Sequence, residues 1–331
     1  MQKRTLGRTG LKVSEVAMGG LYTSSLGGGV ENAREMVARA VKLGINYIDT
    51  APRYADSEET LGHVLPSIDS PMILSTKLGG RPEPFDPKNR DGLMWSIEES
   101  LKLLKRDVID ILMIHEPDRP QLFNWWDDPF KVVGPVIEVI EELKEDGVIR
   151  FAGLGGTTTA QLAHLMRSDH FDVVLTAFNY NILLREAEDE IFPAAREMHM
   201  GVIVGSSLLQ GGLGRRYDEV VRSKPPWLTR KRQQQLLALY DFLDEAELEL
   251  PEVALRFALA NEDVHSVLIG PKTAQQVEDS VVAASRGPLP PDVMGKLHDI
   301  WQMCPMRPFQ EPMIWPFKNP AYFGPGMADH G

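Results

Sequence analysis

NYIDTAPRY, residues 46–54, sets an aspartate directly behind a short apolar run that reads as a buried strand, then a proline, an arginine and a tyrosine within five positions. Seven other runs of strand character share its make-up: EVAMG (15–19), MILSTK (72–77), VIDILMIH (108–115), IRFAGLG (149–155), DVVLTAFN (172–179), GVIVGSS (201–207) and VHSVLIG (264–270). Near-continuous apolar runs suit parallel strands covered on both faces. Amphipathic patterns such as ENAREMVARAVKLG, RDGLMWSIEESLKLLKR, VVGPVIEVIEELKEDG and REAEDEIFPAAREMHMG lie between them, several closing on the glycine that often ends a helix. Eight strands alternating with helices and no linker predict an α/β chain folded as a (β/α)8 TIM barrel rather than two Rossmann halves.

Three segments stand outside that rhythm. RTLGRTGLKVS near the N-terminus reads as a glycine-turned hairpin, and residues 209–230, LQGGLGRRYDEVVRSKPPWLTR, read as a long loop after the seventh strand. Loops of that length are usually functional. The barrel is expected to occupy 1–303, and 304–331, rich in proline and aromatics, to form a strap laid on the surface.

Composition narrows the class. The chain has 331 residues, 43% hydrophobic and 25% charged, enough to bury a sizeable core and unlike a disordered chain. A net charge of −12 without a Lys/Arg stripe argues against nucleic acid or an anionic membrane as partner. Cys304 is the single cysteine, which excludes an intrachain disulfide and a cysteine-cluster metal site. No HExxH or carboxylate-cluster spacing calls for a metal. Lys12 and Glu15 interrupt any secretory-type apolar stretch, and no apolar run approaches the roughly 20 residues of a membrane span. The expectation is a soluble cytoplasmic protein, monomeric or a small homo-oligomer.

In such a barrel the chemistry gathers at the C-terminal ends of the strands. The second strand ends in Asp49 with Tyr54 just behind it, the third in Lys77 and the fourth in His115. A phenol of pKa about 10 is a poor proton carrier near neutrality, and a neighbouring ammonium lowers that value. Lys77 can serve Tyr54 in this way, Asp49 can keep the ammonium charged and oriented, and His115 can hydrogen-bond a substrate oxygen. Any one of these residues alone would read as a surface or satisfied core group; four at adjacent strand ends read as a metal-free proton-transfer centre.

DTAPRYADSEETLG (49–62), STK (75–77), IHEPD (114–118) and the opening RTLGRTGLKVS resemble the aldo-keto reductase superfamily, from the N-terminus to about residue 303. The resemblance implies an NAD(H)- or NADP(H)-dependent barrel without a Rossmann domain, with Asp49, Tyr54, Lys77 and His115 as the catalytic residues and Tyr54 as general acid/base. GVIRFAGLGGTT, VVLTAFNY, GVIVGSSLLQGGL and KPPWL look most like the aldose 1-dehydrogenase branch, whose members take sugars such as L-galactose, L-fucose and other D-threo-aldoses. The expected reaction is oxidation of the C1 hydroxyl of a cyclic aldose to its lactone. Reduction of small aldehydes or ketones is the alternative within the fold, and a nucleotide-binding regulatory subunit the alternative outside catalysis.

The same matching implies the cofactor groove. Gly20, Leu21 and Asp49 fall at its inner end. Gly155 and Gly156 stand where many relatives carry Ser-Asn on the carboxamide, Ala177 where many have Gln, and Gly205 where many stack a Tyr on the ring. Ser206, Ser207, Leu208, Gln210 and Gly212 match phosphate donors, and the helix beginning near Thr273 could add its positive end. Gly270 and Lys272 match positions near the adenosine phosphate, Gln276 replaces an Arg common in NADP-dependent relatives, a loss that Lys272 partly restores, and Asp279 and Ser280 match adenine contacts. NAD is therefore favoured, with NADP possible. Tyr22, Trp125 and Trp126 are candidate substrate walls beside Tyr54 and His115, though burial under the loop explains the tryptophans as well. GGLGRRY (211–217) lacks the Lys-Ser/Thr of a phosphate loop and reads as flexible loop.

Overall fold

The computed structural model describes residues 1–323. A hairpin of β1 (Lys3–Thr5) and β2 (Lys12–Ser14) precedes β3 (Val16–Gly19), β4 (Tyr47–Asp49), β5 (Ile73–Leu78), β6 (Ile109–His115), β7 (Ile149–Gly156), β8 (Val173–Ala177), β9 (Gly201–Gly205) and β10 (Ser266–Ile269). Each of these last eight pairs in parallel with the next and β10 returns to β3, so the sheet closes as a (β/α)8 barrel. Around it lie α1 (Gly29–Lys42), α2 (Ser57–Val64), α3 (Arg90–Leu104), α4 (Pro135–Glu145), α5 (Ala160–Met166), α6 (Ile191–Glu197), α7 (Asp218–Ser223), α8 (Arg230–Glu245), α9 (Leu250–Ala260), α10 (Ala274–Ser285) and α11 (Pro291–Gln302).

Local sequence explains these elements. In α1 the buried side chains are Ala33, Met36, Val37 and Ala40, one face of a helix. The α8 N-terminus is capped by Thr229, whose hydroxyl accepts from the Arg232 amide, and α10 by Thr273 in the same way. Gly62 lets α2 cross close to α3, because a Cβ there would overlap the Leu103 carbonyl oxygen.

The period-2 pleat sorts side chains into two sets. Ala17, Tyr47, Ile111, Met113, Val173, Leu175 and Ile203 face inward and pack with Leu6, Leu11 and Val13 of the hairpin region. Leu6 is fully buried and lies against Gly201, so the hairpin plugs the N-terminal end of the barrel. Continuing the inward parity toward the other end reaches Asp49, Lys77, His115, Gly155, Ala177 and Gly205. The open mouth is thus built from alternate residues beyond the packed layers.

Three segments differ from the sequence reading. Residues 209–230 are not plain loop: a 3-10 turn at Leu209–Gly211 and α7 interrupt them, and α8 begins at Arg230. The stretch expected as one helix at 185–201 breaks into a 3-10 turn and the short α6. The tail does form a non-helical strap to residue 323, but Glu311, Ile314, Trp315 and Phe317 are buried rather than laid on the surface. Residues 324–331 of the expected tail lie outside the described residues.

Candidate active site

The strand register brings the four strand-end residues to one point. Asp49 on β4 pairs with Ser75 on β5, Lys77 on β5 with Met113 on β6, and His115 on β6 with Gly155 on β7. Lys77 Nζ donates to Asp49 Oδ2 at 2.6 Å and to the Thr50 carbonyl at 2.7 Å. It also sits 4.6 Å from the centre of the Tyr54 ring. The Tyr54 and His115 rings meet edge-on with centroids 5.9 Å apart. Behind Asp49, Ser75 Oγ donates to its Oδ1 at 2.6 Å and shares a hydrogen bond with the Tyr47 hydroxyl at 2.8 Å. β5 runs one residue past Lys77, to Leu78, so the lysine is held inside the barrel rather than at its rim.

Burial sets the electrostatics. It pulls the Lys77 ammonium down, but Asp49 and Tyr54 more than offset it, and the lysine pKa lies above its ordinary value. Burial raises the Tyr54 phenol, and Lys77 lowers it less than burial raises it. The net direction is therefore upward: Lys77 lowers the phenol, as expected, but does not bring it below its ordinary value. Burial, Lys77 and Arg53 together hold His115 well below the ordinary histidine value of 6.5, so its ring is neutral. His115 Nδ1 is buried and has no partner among the described residues.

Around this point lie the groove candidates. Gly155 faces Lys77, since a Cβ on it would stand 3.6 Å from Lys77 Cε, and a Cβ on Gly205 would meet Leu175 at 3.0 Å. A Cβ on Gly20 would press on the Asp49 carbonyl at 2.6 Å. Leu21 and Tyr22 follow in a 3-10 turn, and Lys272 Nζ rests 4.4 Å from the centre of the Tyr22 ring beside Gly270. Beyond β9, Ser206, Leu209, Gln210 and Gly211 all have positive φ. The turn engages the amides of Leu209, Gly211 and Gly212, leaving those of Ser207 and Leu208 outside its own bonds. Successive amides around left-handed residues make anion-binding concavities. In α10, Gln276 Oε1 accepts from the Lys272 amide at 2.7 Å, Asp279 accepts from Gln275, and Ser280 donates to the Gln276 carbonyl.

Residues 21–302 match the model of the aldo/keto reductase family. The chain belongs to that family. It is 30% identical to L-galactose dehydrogenase of Arabidopsis thaliana over 86% of this chain and 88% of that protein. It is 26% identical to D-threo-aldose 1-dehydrogenase of a Pseudomonas species over 77% of this chain and 84% of that protein. An aldo-keto reductase, AKR11C1, of Bacillus halodurans, solved in its holo form, superimposes with a TM-score of 0.72 at 27% identity, covering 91% of this chain and 96% of that one.

As an aldo-keto reductase the protein is an NAD(P)-dependent oxidoreductase acting on small carbonyl or sugar substrates. The residues present fit such a group: without a side chain, Gly155 and Gly205 leave their backbone bare beside Lys77 and Leu175 at the inner end, and Ser207 Oγ is buried without a partner among the described residues beside the concavity. Gly156 is shaped differently. A Cβ there would fall 2.5 Å from Asp118 Oδ1, so the Asp118 carboxylate fills the space a side chain at this position would take. Among the described residues no helix is long and apolar enough to cross a membrane, and no cluster of ligating side chains could hold a metal.

The tryptophans of this aldo-keto reductase correct their reading as substrate walls. Trp125 is fully buried against Phe85 and Phe123 and donates to the His115 carbonyl; Trp126 is 5% exposed and donates to the Pro117 carbonyl. They brace the β6 loop from beneath. Residues that the sequence reading did not single out include Ser75, Tyr47 and Thr50, which anchor Asp49 and Lys77. Arg53, over the Phe123 ring, is another. Ser75 lies within the STK motif, which was the available signal.

Proposed function

We propose that the protein oxidises the C1 hydroxyl of a cyclic aldose to its lactone with NAD, Tyr54 acting as general acid/base. The observation that carries the reading is the Lys77 ammonium clamped between Asp49 and Thr50 against the Tyr54 ring, with neutral His115 opposite. Bound in the groove, a nicotinamide supplies the hydride acceptor.

Tyr54 as phenolate takes the proton of the anomeric hydroxyl, and Lys77 stabilises the charge the phenol must carry. Its own charge is secured by Asp49. Neutral His115 orients the sugar oxygen by a hydrogen bond and adds no second positive charge. Ser206, Ser207, Leu208, Gln210 and Gly212 would hold the phosphates and Lys272 and Thr273 the adenosine end, with Gly155, Gly156, Ala177 and Gly205 beside the ring. The preference for NAD is supported by Gln276, whose side chain is committed to the Lys272 amide and offers no charge to a 2′-phosphate.

Two similar proteins are named as sugar dehydrogenases, which favours this substrate class. Reduction of small aldehydes or ketones is the second reading, favoured by one observation: the raised Tyr54 pKa keeps the phenol protonated and ready to donate. A screen of aldose stereoisomers with NAD and NADP in parallel, with lactone identified as product, tests the choice. Turnover of aldehydes at neutral pH with no oxidation of any sugar would leave the reductase reading alone.

A further inference from the structure

The family match ends at residue 302, yet the described chain runs on to 323 and buries part of that extension. The strap is fastened at one point by a sealed ion pair. Arg232 Nε donates to Glu311 Oε2 at 3.0 Å with both side chains wholly out of solvent. Thr229 Oγ1 donates to Glu311 Oε1 at 3.1 Å, and the other Arg232 nitrogens reach the Cys304 and Met306 carbonyls at 3.2 and 3.3 Å. A carboxylate so placed has one position open to it, since a buried charge without its partners is costly.

From that anchor the strap runs onto the segment that follows β9. Trp315 lies on Gly212, where a Cβ would stand 3.2 Å from its ring. Phe317 stacks face to face on Tyr217, with centroids 4.0 Å apart and planes 4° from parallel, and the Tyr217 hydroxyl donates to the Gly211 carbonyl at 3.2 Å. Trp227, at the far end of the same segment, packs edge-on to Phe317. The strap thus grips this stretch at Gly212 and Tyr217, just after the left-handed residues at 206–211, and again at Trp227.

We infer that Trp315 and Phe317, anchored by Glu311, are positioning residues for the dinucleotide: they hold the 206–217 segment closed and so set how long the nucleotide stays. This rests on the reading above that residues 206–212 hold the phosphates. Left-handed backbone at non-glycine residues persists only where surroundings enforce it. Ser206, Leu209 and Gln210 are such residues, and the strap packs on Gly212 and Tyr217, which follow them. None of the strap residues is proposed to touch the reacting atoms, so the effect falls on nucleotide binding and not on the chemical step.

The test is stopped-flow tryptophan fluorescence of NAD release from the full-length protein and its variants. Phe317→Leu is expected to speed release at least tenfold and to raise the KM for NAD, with kcat at saturating NAD within twofold of the parent. Phe317→Tyr, which keeps the stacked ring, should restore slow release. Unchanged release in a folded Phe317→Leu protein overturns the inference. If that variant does not fold, hydrogen exchange on the parent decides: NAD should slow exchange in 304–317 along with 206–217, and exchange in the strap indifferent to NAD overturns it. Tight NAD binding indifferent to the strap defeats this inference and leaves the proposed reaction standing. Strap-dependent release without oxidation of any sugar does the reverse.

Discussion

Lys77 Nζ lies 2.6 Å from Asp49 Oδ2, and both side chains are 2% exposed or less. With no water to turn to, each charge depends on the other for its solvation, and Ser75 and Thr50 complete the set. Asp49→Ala is expected to leave a buried ammonium without a counter-charge and to destabilise the fold by about 3–5 kcal/mol. Urea denaturation measures this; a loss below about 1 kcal/mol would mean that the lysine sheds its proton or escapes to water.

Tyr54→Phe removes one hydroxyl and keeps the ring that Lys77 and His115 pack against. The variant should bind dinucleotide as the parent does, while turnover falls by roughly 10²–10⁴, the usual worth of a positioned acid or base. Nucleotide titration and steady-state rates on one preparation separate the two effects. An unchanged rate excludes Tyr54 as the proton carrier.

Lys77→Met removes the ammonium that lowers the Tyr54 phenol and leaves burial to raise it further. Oxidation needs the phenolate, so its rate climbs with pH through the phenol pKa, and this climb should move to higher pH in the variant. Reduction needs the phenol and should fall over the same interval. A profile that stays in place would show that Lys77 serves only to hold Asp49.

His115 is held neutral by burial, Lys77 and Arg53. A group whose pKa lies well below 6.5 changes no charge between pH 6.5 and 8. The pH–rate profile should accordingly show no step near 6.5 that His115→Gln abolishes. Imidazole proton shifts followed by NMR provide the direct check, and a midpoint near 6.5 would contradict the burial argument.

The barrel was legible because buried parallel strands must be apolar along their length, and such runs stand out between amphipathic helices. Asp49, Lys77 and His115 were legible because each ends such a run in an ionisable group. Ser75 and Tyr47 were not: their part depends on β4 and β5 sharing a register that sets Asp49 opposite Ser75. Trp125 and Trp126 could be placed in a loop, but which way an indole packs depends on what the loop covers. The net direction of the Tyr54 pKa was not legible for a related reason, since an ammonium can be read from a neighbouring strand while desolvation depends on how the assembled mouth crowds the ring.

The sequence by itself determined the fold class and the identity of the strand-end residues, because apolar periodicity and ionisable side chains are local facts of the chain. Only the tertiary structure decided that Asp49, Lys77 and His115 share the inward parity of one barrel mouth, that the phenol is raised, and that the strap is pinned by Arg232 and Glu311, residues 79 positions apart. Burial and long-range pairing arise when distant segments exclude water together, and no local pattern carries that information.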